Sequence, residues 1–167
     1  MPPGPAARKT DSTSHGTPLS PGPASSNVKI GFLPAWRALP SGAGAALQSF
    51  NATADATMKS LESATKSASG TPGAPAVLAA ETAGKSSLAG AAAGLVAGIA
   101  ASGADIHNCP MTTPPVPIPH GPGMVIDGSA TVKINFLPAA RQGDTVMEPI
   151  GGPDKIAMGC TQVKIGG

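Results

Sequence analysis

The most regular hydrophobic pattern in the chain is a short alternation of apolar and polar residues that occurs three times. It reads Val-Lys-Ile at residues 28–30, 132–134 and 163–165. A period of two is typical of a strand that has one buried face. Phe-Leu-Pro-Ala follows the first two copies, at 32–35 and 136–139. Because proline has no N–H to donate to a ladder, we expect Pro34 and Pro138 at turns or sheet edges.

The two ends of the sequence resemble two parts of one further unit. The segment Gly4–Arg8 matches Leu137–Arg141, and the third Val-Lys-Ile copy has no such segment after it. We therefore expect the amino terminus to complete the third copy. Three units joined in this way form a ring without a free edge strand. The predicted fold is mainly β, a small three-sided cone built from three pseudo-threefold repeats and closed by both termini.

A segment of different composition interrupts the first unit after Arg37. It is rich in Ala, Gly, Ser and Thr, and its apolar side chains recur at the spacings of three and four that are typical of a helix. The two stripes are Leu47, Phe50, Ala54, Met58 and Leu61, and then Leu88, Ala92, Leu95 and Ile99. Ser69–Pro75 separates them. We predict an α-helical hairpin at residues 40–102, inserted into a discontinuous cone of residues 1–39 and 103–167.

The second helical run has a glycine face. Residues 86–104 carry no charge, and Gly90, Gly94 and Gly98 form a GxxxGxxxG pattern that associates helices in bilayers. The run has few bulky apolar residues, although it is barely long enough to span about 30 Å of hydrocarbon. We favour a soluble helix packed closely on its hairpin mate. A membrane-active or chaperone-bound segment is the alternative.

Composition limits how the fold is stabilised and which partners it has. Glycine and proline number 22 and 19, aromatic residues are 2%, and tyrosine is absent, which excludes a large aromatic-anchored core. The net charge is +2 and the basic residues are scattered, so we expect no nucleic-acid partner. The amino terminus lacks the apolar region of a signal peptide, which predicts a cytoplasmic start and reduced thiols or thiolate ligands at Cys109 and Cys160.

The histidines lie within the repeats and suggest a metal site. His15-Gly16 and His120-Gly121 precede their Val-Lys-Ile strands by thirteen and twelve residues, so they are counterparts in successive units. His107 and Cys109 open the second unit. Three imidazoles and a thiolate make a complete tetrahedral set for zinc, and a structural zinc supplies on the order of 10 kcal/mol of folding free energy. We predict that zinc is bound by His15, His107, Cys109 and His120.

The third unit carries a carboxylate where the other two units carry these ligands. Each unit has a candidate ligand four residues after an aspartate: Asp11 and His15, Asp105 and Cys109, Asp144 and Glu148. Glu148 is therefore a reserve oxygen ligand in place of His107 or Cys109. Cys160 stands beside a strand, and we expect a small buried residue there rather than a ligand.

Catalysis is not expected. His107 and Cys109 are a conceivable base and nucleophile. No third orienting group, phosphate-binding loop or GxSxG motif accompanies them in the sequence. A closed metal site also leaves no open coordination position for a substrate. We predict that the protein is not an enzyme.

The repeated Pro-Ala-Ala-Arg tetrapeptide is similar to that of a known family. The chain resembles the PAAR-repeat proteins that tip the spike of the type VI secretion system. The matching segments are Pro5–Arg8, Pro34–Arg37 and Pro138–Arg141, with Asp11, Gly143-Asp144 and the three Val-Lys-Ile strands. The resemblance implies a β cone whose base sits on a trimeric VgrG spike and whose point holds zinc through three His and one Cys. Trp36, in place of the usual alanine, and the insert of 65 residues between Arg37 and Gly103 depart from the family.

Two functions follow from this resemblance. The first is a structural tip that caps and sharpens the VgrG spike, with an effector or chaperone bound through the insert. The second is a membrane-active effector whose helical insert is delivered by the cone, with membrane contact on delivery. No toxin domain follows Gly167, so we favour the first. The resemblance also implies a protein that is cytoplasmic when loaded and is delivered into target cells without a signal peptide.

Overall fold

The computed structural model describes residues 2–166, which form short strands and two long helices. In chain order the elements are β1 (Gly4–Ala6), β2 (Pro21–Gly22), β3 (Lys29–Ile30), β4 (Leu33–Pro34), α1 (Ala45–Ala68), α2 (Ala74–Ala100), β5 (Ile106–Thr113), β6 (Ile118–Val125), β7 (Lys133–Ile134), β8 (Leu137–Pro138), β9 (Thr145–Glu148), β10 (Gly152–Lys155) and β11 (Cys160–Ile165). An antiparallel five-stranded sheet has the order β10-β9-β6-β5-β2. The other strands pair as β1-β11, β3-β4 and β7-β8.

The predicted joining of the two chain ends is confirmed. The β3-β4 hairpin pairs Ile30 with Leu33, and the β7-β8 hairpin pairs Ile134 with Leu137 in the same register. Across the chain ends, Ile165 of β11 pairs with Gly4 of β1, and the preceding lysine pairs with a proline as it does in both hairpins. The β1-β11 ladder is therefore a third copy of the hairpin, assembled from the two ends.

Rings of backbone hydrogen bonds link the three units. Ala7 N–H donates to the carbonyl of Ala140 (2.9 Å), Ala140 N–H to Trp36 (3.0 Å), and Trp36 N–H to Ala7 (2.9 Å). Each unit thus donates to one neighbour and accepts from the other. A second ring, with all three bonds at 2.8 Å, joins Lys9 to Pro34, Ala38 to Pro138 and Gln142 to Pro5. These bonds give the repeats a pseudo-threefold arrangement.

The repeats bury their side chains in two adjacent layers. The first alanine of each tetrapeptide packs in the strand cluster, which comprises Ala6, Ile30, Ala35, Ile134, Ala139, Cys160 and Ile165. The next residue of each copy points into the inner cluster, which comprises Ala7, Leu19, Ala24, Trp36, Ala38, Val125, Ala140, Val146 and Ile156. Successive residues of an extended chain point to opposite faces, so two consecutive residues serve two layers. Trp36 is fully buried and fills the inner cluster.

The insert leaves from and returns to one turn. In the uninterrupted units the backbone N–H and guanidinium of an arginine bind an aspartate three residues later, as Arg141 does with Asp144. Arg37 makes the same contacts with Asp105, with its N–H 2.7 Å and its Nη2 2.7 Å from the carboxylate oxygens. The insert therefore lies between the two partners of a turn contact that all three units share, and its ends meet in space.

The predicted helical hairpin is present, and the chain as a whole is mixed, consistent with a small β-rich domain plus a helical insert. The structure is 32% strand and 31% helical. The reason is one of length: strands in the repeats have two to eight residues, whereas α1 and α2 have 24 and 27. Gly70 has a positive φ in the break between the helices, and Pro75 lies in the first turn of α2, where its missing N–H costs nothing.

The two helices pack on each other through a glycine outside the predicted glycine face. A Cβ at Gly84 would lie 2.8 Å from Leu61 Cδ1 of α1. A Cβ at Gly90, Gly94 or Gly98 would meet no described atom within 4 Å, so that face is open. By length and composition α2 is able to cross a membrane, and 17% of its most apolar window is buried.

A buried ion-pair cluster fixes the register of the hairpin. The fully buried Lys85 lies 2.9 Å from Glu81 on its own helix and 2.7 Å from Glu62 on α1. Its Nζ also donates to the carbonyl of Val116 (3.3 Å), in the segment between β5 and β6. Removing one member of such a buried pair leaves the other charge uncompensated.

The helices also pack against the repeats. Leu47 of α1 and Val96 of α2 share an apolar cluster with Met124, Leu137 and Met147. Asn51 Nδ2 of α1 donates to the backbone carbonyl of Glu148 (3.1 Å). The insert therefore covers apolar side chains of the repeat region.

Replacing residues 38–104 with Gln-Gly should leave a folded repeat ring. The resulting Arg37-Gln-Gly-Asp105 turn has the sequence of the turn from Arg141 to Asp144. The free energy of unfolding should fall, because Met124 and Met147 lose their helical cover and each buried apolar side chain contributes roughly 1.5–3 kcal/mol. Chemical denaturation of both proteins measures the difference. A deletion variant without cooperative unfolding would contradict the insertion into a single turn.

Candidate metal centre

The candidate centre is built on β5 and β6. Along β5 the side chains alternate, so that His107 and Cys109 are buried on one face and Asn108 is exposed on the other. Cys109 pairs with Gly121 of β6, which places His120 beside it. Alternation in one strand and register between two strands thus place three of the predicted ligands, His107, Cys109 and His120, as buried residues of one strand pair.

Four side chains converge closely enough to share one cation. The ligand atoms of His15, Cys109, His120 and Glu148 all lie within 4.8 Å of one another. Cys109 Sγ is 3.6 Å from His15 Nδ1 and 3.9 Å from His120 Nδ1. Glu148 Oε2 is 2.7 Å from His120 Nδ1 and 3.2 Å from His15 Nδ1. Three residues predicted as ligands therefore meet with the predicted reserve ligand.

His107 lies in an adjacent group that shares Glu148. It forms a second set of possible ligands with Glu148 and Asp154. Its Nε2 is 3.8 Å from Glu148 Oε1 and 3.1 Å from the hydroxyl of Thr17. Glu148 is common to both sets, so its two oxygens face the two halves of the centre.

Asp154 is the one residue of the centre that the sequence analysis missed. Its carboxylate accepts from the hydroxyl of Ser14 (2.5 Å) and the backbone N–H of His15 (3.1 Å). Asp154 Oδ2 also lies 3.5 Å from His15 Nδ1. These contacts run between the third unit and the first, so no spacing along the chain indicates them.

Burial controls the protonation of the centre. Desolvation raises the pKa of Glu148 to about 8, and the charge of Asp154 adds to the effect, while a hydrogen bond with Cys109 opposes it. Desolvation also raises the pKa of the Cys109 thiol to about 11. The same cause lowers the pKa of His107 and of His120. At neutral pH and without a cation, the centre therefore holds neutral imidazoles at His107 and His120, the Cys109 thiol and a largely protonated Glu148.

Several buried polar atoms in the centre have no hydrogen-bond partner within residues 2–166. They are His107 Nδ1, Glu148 Oε1 and Asp154 Oδ2. Leaving such atoms unpaired costs free energy, which a bound cation recovers. The donors are imidazole, thiolate and carboxylate, the set that zinc and similar divalent metals prefer. The residues present thus fit a metal ion.

Cys160 is remote from these groups. It is 7% exposed in the strand cluster and pairs with Ala6 across the β1-β11 ladder. Its position agrees with the prediction of a small buried residue.

Comparison with known proteins places the carboxyl-terminal third of the chain in a family. Residues 116–167 match the family model described as the PAAR motif. The chain contains a PAAR motif. This confirms the family predicted from the sequence, and it is consistent with a PAAR-repeat protein of the type VI secretion system. No curated protein and no solved structure gave a significant match.

The PAAR match includes His120, Glu148 and Asp154 but not the other members of the centre. His15, His107 and Cys109 lie in residues 1–115, outside the matched region. The structure brings both sets together through the β5-β6 pairing and the closure of the ring. The PAAR motif thus supplies part of the candidate centre, and the remainder of the chain supplies the rest.

A glycine beside His120 allows a paired test of ring position. A Cβ at Gly151 would clash with the His120 ring, whereas a Cβ at the adjacent Gly152 would meet no described atom within 4 Å. Both glycines have positive φ, so both alanine variants carry backbone strain. Gly151→Ala should therefore weaken metal binding by about 10–100-fold relative to Gly152→Ala. Competition with a chelator measures the ratio, and equal affinities would contradict the placement of His120.

Metal binding should release protons and strengthen as the pH rises. Glu148 and Cys109 have raised pKa values in the cation-free protein, so below pH 8 a metal that binds Cys109 displaces one proton, and a metal that also binds Glu148 displaces a second. Affinity should increase by about ten- to a hundredfold per pH unit between pH 6 and 8, which corresponds to one or two protons. Glu148→Gln removes one titrating group and should lower the proton count by one. Calorimetry in buffers of different ionisation enthalpy counts the protons, and a count of zero in the wild type would contradict the assignment.

Proposed function

We propose that this PAAR-motif protein is the structural tip that caps and sharpens the trimeric VgrG spike of a type VI secretion system. One observation carries the proposal: three quasi-equivalent units of a single chain are joined by cyclic backbone hydrogen bonds and converge on one cluster of metal-ligating side chains. Such a chain offers threefold-related surfaces to a trimer at one end and a single point at the other. Its role is mechanical and requires no catalysis.

The layer order of the side chains supports a tapering cone. The strand cluster collects Ile30, Ile134 and Ile165, one from each unit. The inner cluster follows, and three of the candidate ligands, His15, Cys109 and Glu148, lie four residues beyond the aspartates of the repeated turns. We place the spike contact at the strand cluster and the point of the cone at the metal centre. Three separate chains of a trimer would crowd one another at the threefold axis, whereas a single chain of three repeats converges there on one set of metal ligands.

Zinc is the proposed metal at the point. His15, Cys109 and His120 hold it, with His107 or Glu148 as the fourth ligand. Bound there, zinc supplies cross-links between units in a fold with few large apolar side chains. Deprotonated Cys109 and neutral imidazoles are the forms that bind it.

The repeats and the insert have different proposed roles. Residues 1–39 and 103–167 form the cone, and residues 40–102 form a docking element for an effector or chaperone. The protein is cytoplasmic when loaded and leaves with the spike through the injection machinery.

A second candidate function rests on α2. Its length, its composition and the open face at Gly90, Gly94 and Gly98 suit a membrane-active effector delivered by the cone. The buried pair of Glu81 and Lys85 opposes insertion while the hairpin is folded. Dye release from vesicles by the full chain, compared with the variant that lacks residues 38–104, separates this candidate from the structural tip.

Zinc content and binding to the spike trimer can be measured on the same set of proteins. The wild type should contain close to one zinc and bind one VgrG trimer per chain. His120→Ala should lose zinc and lower the melting temperature, whereas Met158→Ala, at an exposed side chain, should change neither. Elemental analysis, calorimetry and light scattering report these quantities. Metal below about a tenth of an equivalent in the wild type would rule out the zinc site, and the absence of any complex with the trimer would rule out the tip.

A further inference from the structure

Two phenylalanines are almost completely exposed in a chain that contains only three. Phe32 is 95% and Phe136 is 94% exposed, more than any other large apolar side chain in the described part of the chain. The third, Phe50, is partly buried on α1. An exposed aromatic side chain contributes nothing to a core, so the fold itself does not account for these two residues.

The two phenylalanines occupy the same position in two repeats. Each is the second residue of the two-residue turn in its hairpin, after Gly31 between β3 and β4 and after Asn135 between β7 and β8. Both residues of each turn have positive φ, with 54° and 69° in the first and 51° and 67° in the second. Turns of this kind favour Asn-Gly, and a bulky residue at positive φ is strained.

Glycine at either site would relieve the strain and remove exposed apolar surface. Two units nevertheless carry phenylalanine at the position where local conformation favours glycine. The third unit has Gly166 and Gly167 after its Val-Lys-Ile strand. Strain of this type is retained where it positions a group for binding, and here it holds an aromatic ring outward on a rigid two-residue turn.

Charged residues accompany these turns with the same threefold repetition. Lys29, Lys133 and Lys164 are the central residues of the three Val-Lys-Ile strands, and all three are exposed. Their neighbours Ile30, Ile134 and Ile165 are buried together in the strand cluster. The surface outside that cluster therefore presents three threefold-related cations and two threefold-related aromatic rings.

We propose that Phe32 and Phe136 are aromatic anchors that insert into apolar sockets on the threefold end of a protein partner, whose carboxylates face the three lysines. The inference rests on the proposed function, in which that partner is the spike trimer. A lipid surface also attracts aromatic and basic residues, but it gains nothing from rings held in fixed, symmetry-related positions. A trimer with three identical sockets binds such rings more tightly, because preorganised anchors lose little entropy on binding.

Because only two of the three units carry a phenylalanine, the anchors predict how many chains bind each trimer. Two of three equivalent sockets receive a phenylalanine, and the third faces the unit formed by the chain ends. One chain therefore occupies the whole threefold end, in any of three equivalent orientations. Each anchor is an aromatic residue at the centre of its own socket, the type of residue that dominates interface energetics.

The test replaces each phenylalanine with the residue that the turn favours. Phe32→Gly and Phe136→Gly should each weaken binding to the purified cognate spike trimer at least about tenfold, and the double variant about a hundredfold or more. The melting temperature should stay the same or rise, because glycine relieves the turn strain. Asparagine also tolerates positive φ, so Phe32→Asn should behave like Phe32→Gly. Leu78→Ala, at an exposed leucine on α2, is the matched control and should leave binding unchanged.

The outcomes distinguish the anchors from the proposed function. Tight binding of the wild type that is unchanged in the double variant would overturn the anchors and leave the spike-tip function standing. No binding by the wild type would overturn both. Loss of binding to anionic vesicles or of self-association, with spike binding unchanged, would show that the partner is a lipid surface or a second copy. A fall in melting temperature for both the glycine and asparagine variants would show that the rings serve the fold.

Discussion

The rest of the structure depends on a ring of three backbone hydrogen bonds, from Ala7 to Ala140, from Ala140 to Trp36 and from Trp36 to Ala7. Each bond contributes only about 1 kcal/mol, but the ring closes only when all three units are in place. Closure sets the first alanine of each tetrapeptide into the strand cluster and the next residue into the inner cluster. It also places the metal-ligating side chains of separate units within reach of one another.

Closure explains why the candidate metal centre is both crowded and poorly satisfied. His15, Cys109 and Glu148 come from three units at matching positions, and the ring brings them to one point that water does not reach freely. Desolvation there raises the pKa of Glu148 and of Cys109, so without a cation both groups are largely protonated at neutral pH. A divalent cation favours the deprotonated form of these two groups. Its binding free energy would then add to the free energy of folding, in a chain with few large apolar side chains.

The ring could be predicted from the sequence because its motifs are repeated. The contacts between side chains of different units could not be predicted from those motifs. The Val-Lys-Ile copies and the Pro-Ala-Ala-Arg tetrapeptides predict three hairpins, including the one formed by the chain ends. The four-residue spacing after each aspartate indicates Glu148, but Asp154 reaches His15 beside an isolated bridge between Thr13 and Ile156 that no spacing indicates. The helical stripes predict the hairpin, yet its packing through Gly84 and the buried Lys85 depends on an interhelical register that the sequence does not encode locally.

Amide hydrogen exchange of Ala7, Trp36 and Ala140, measured with and without added zinc, tests the closed ring most directly. If the three units form one cooperative ring, the three amides should exchange with the same free energy, equal to that of global unfolding. Removal of zinc should lower all three values together. Fast exchange at Ala7, with Trp36 and Ala140 still protected, would show that the amino terminus opens independently and would contradict the closed ring.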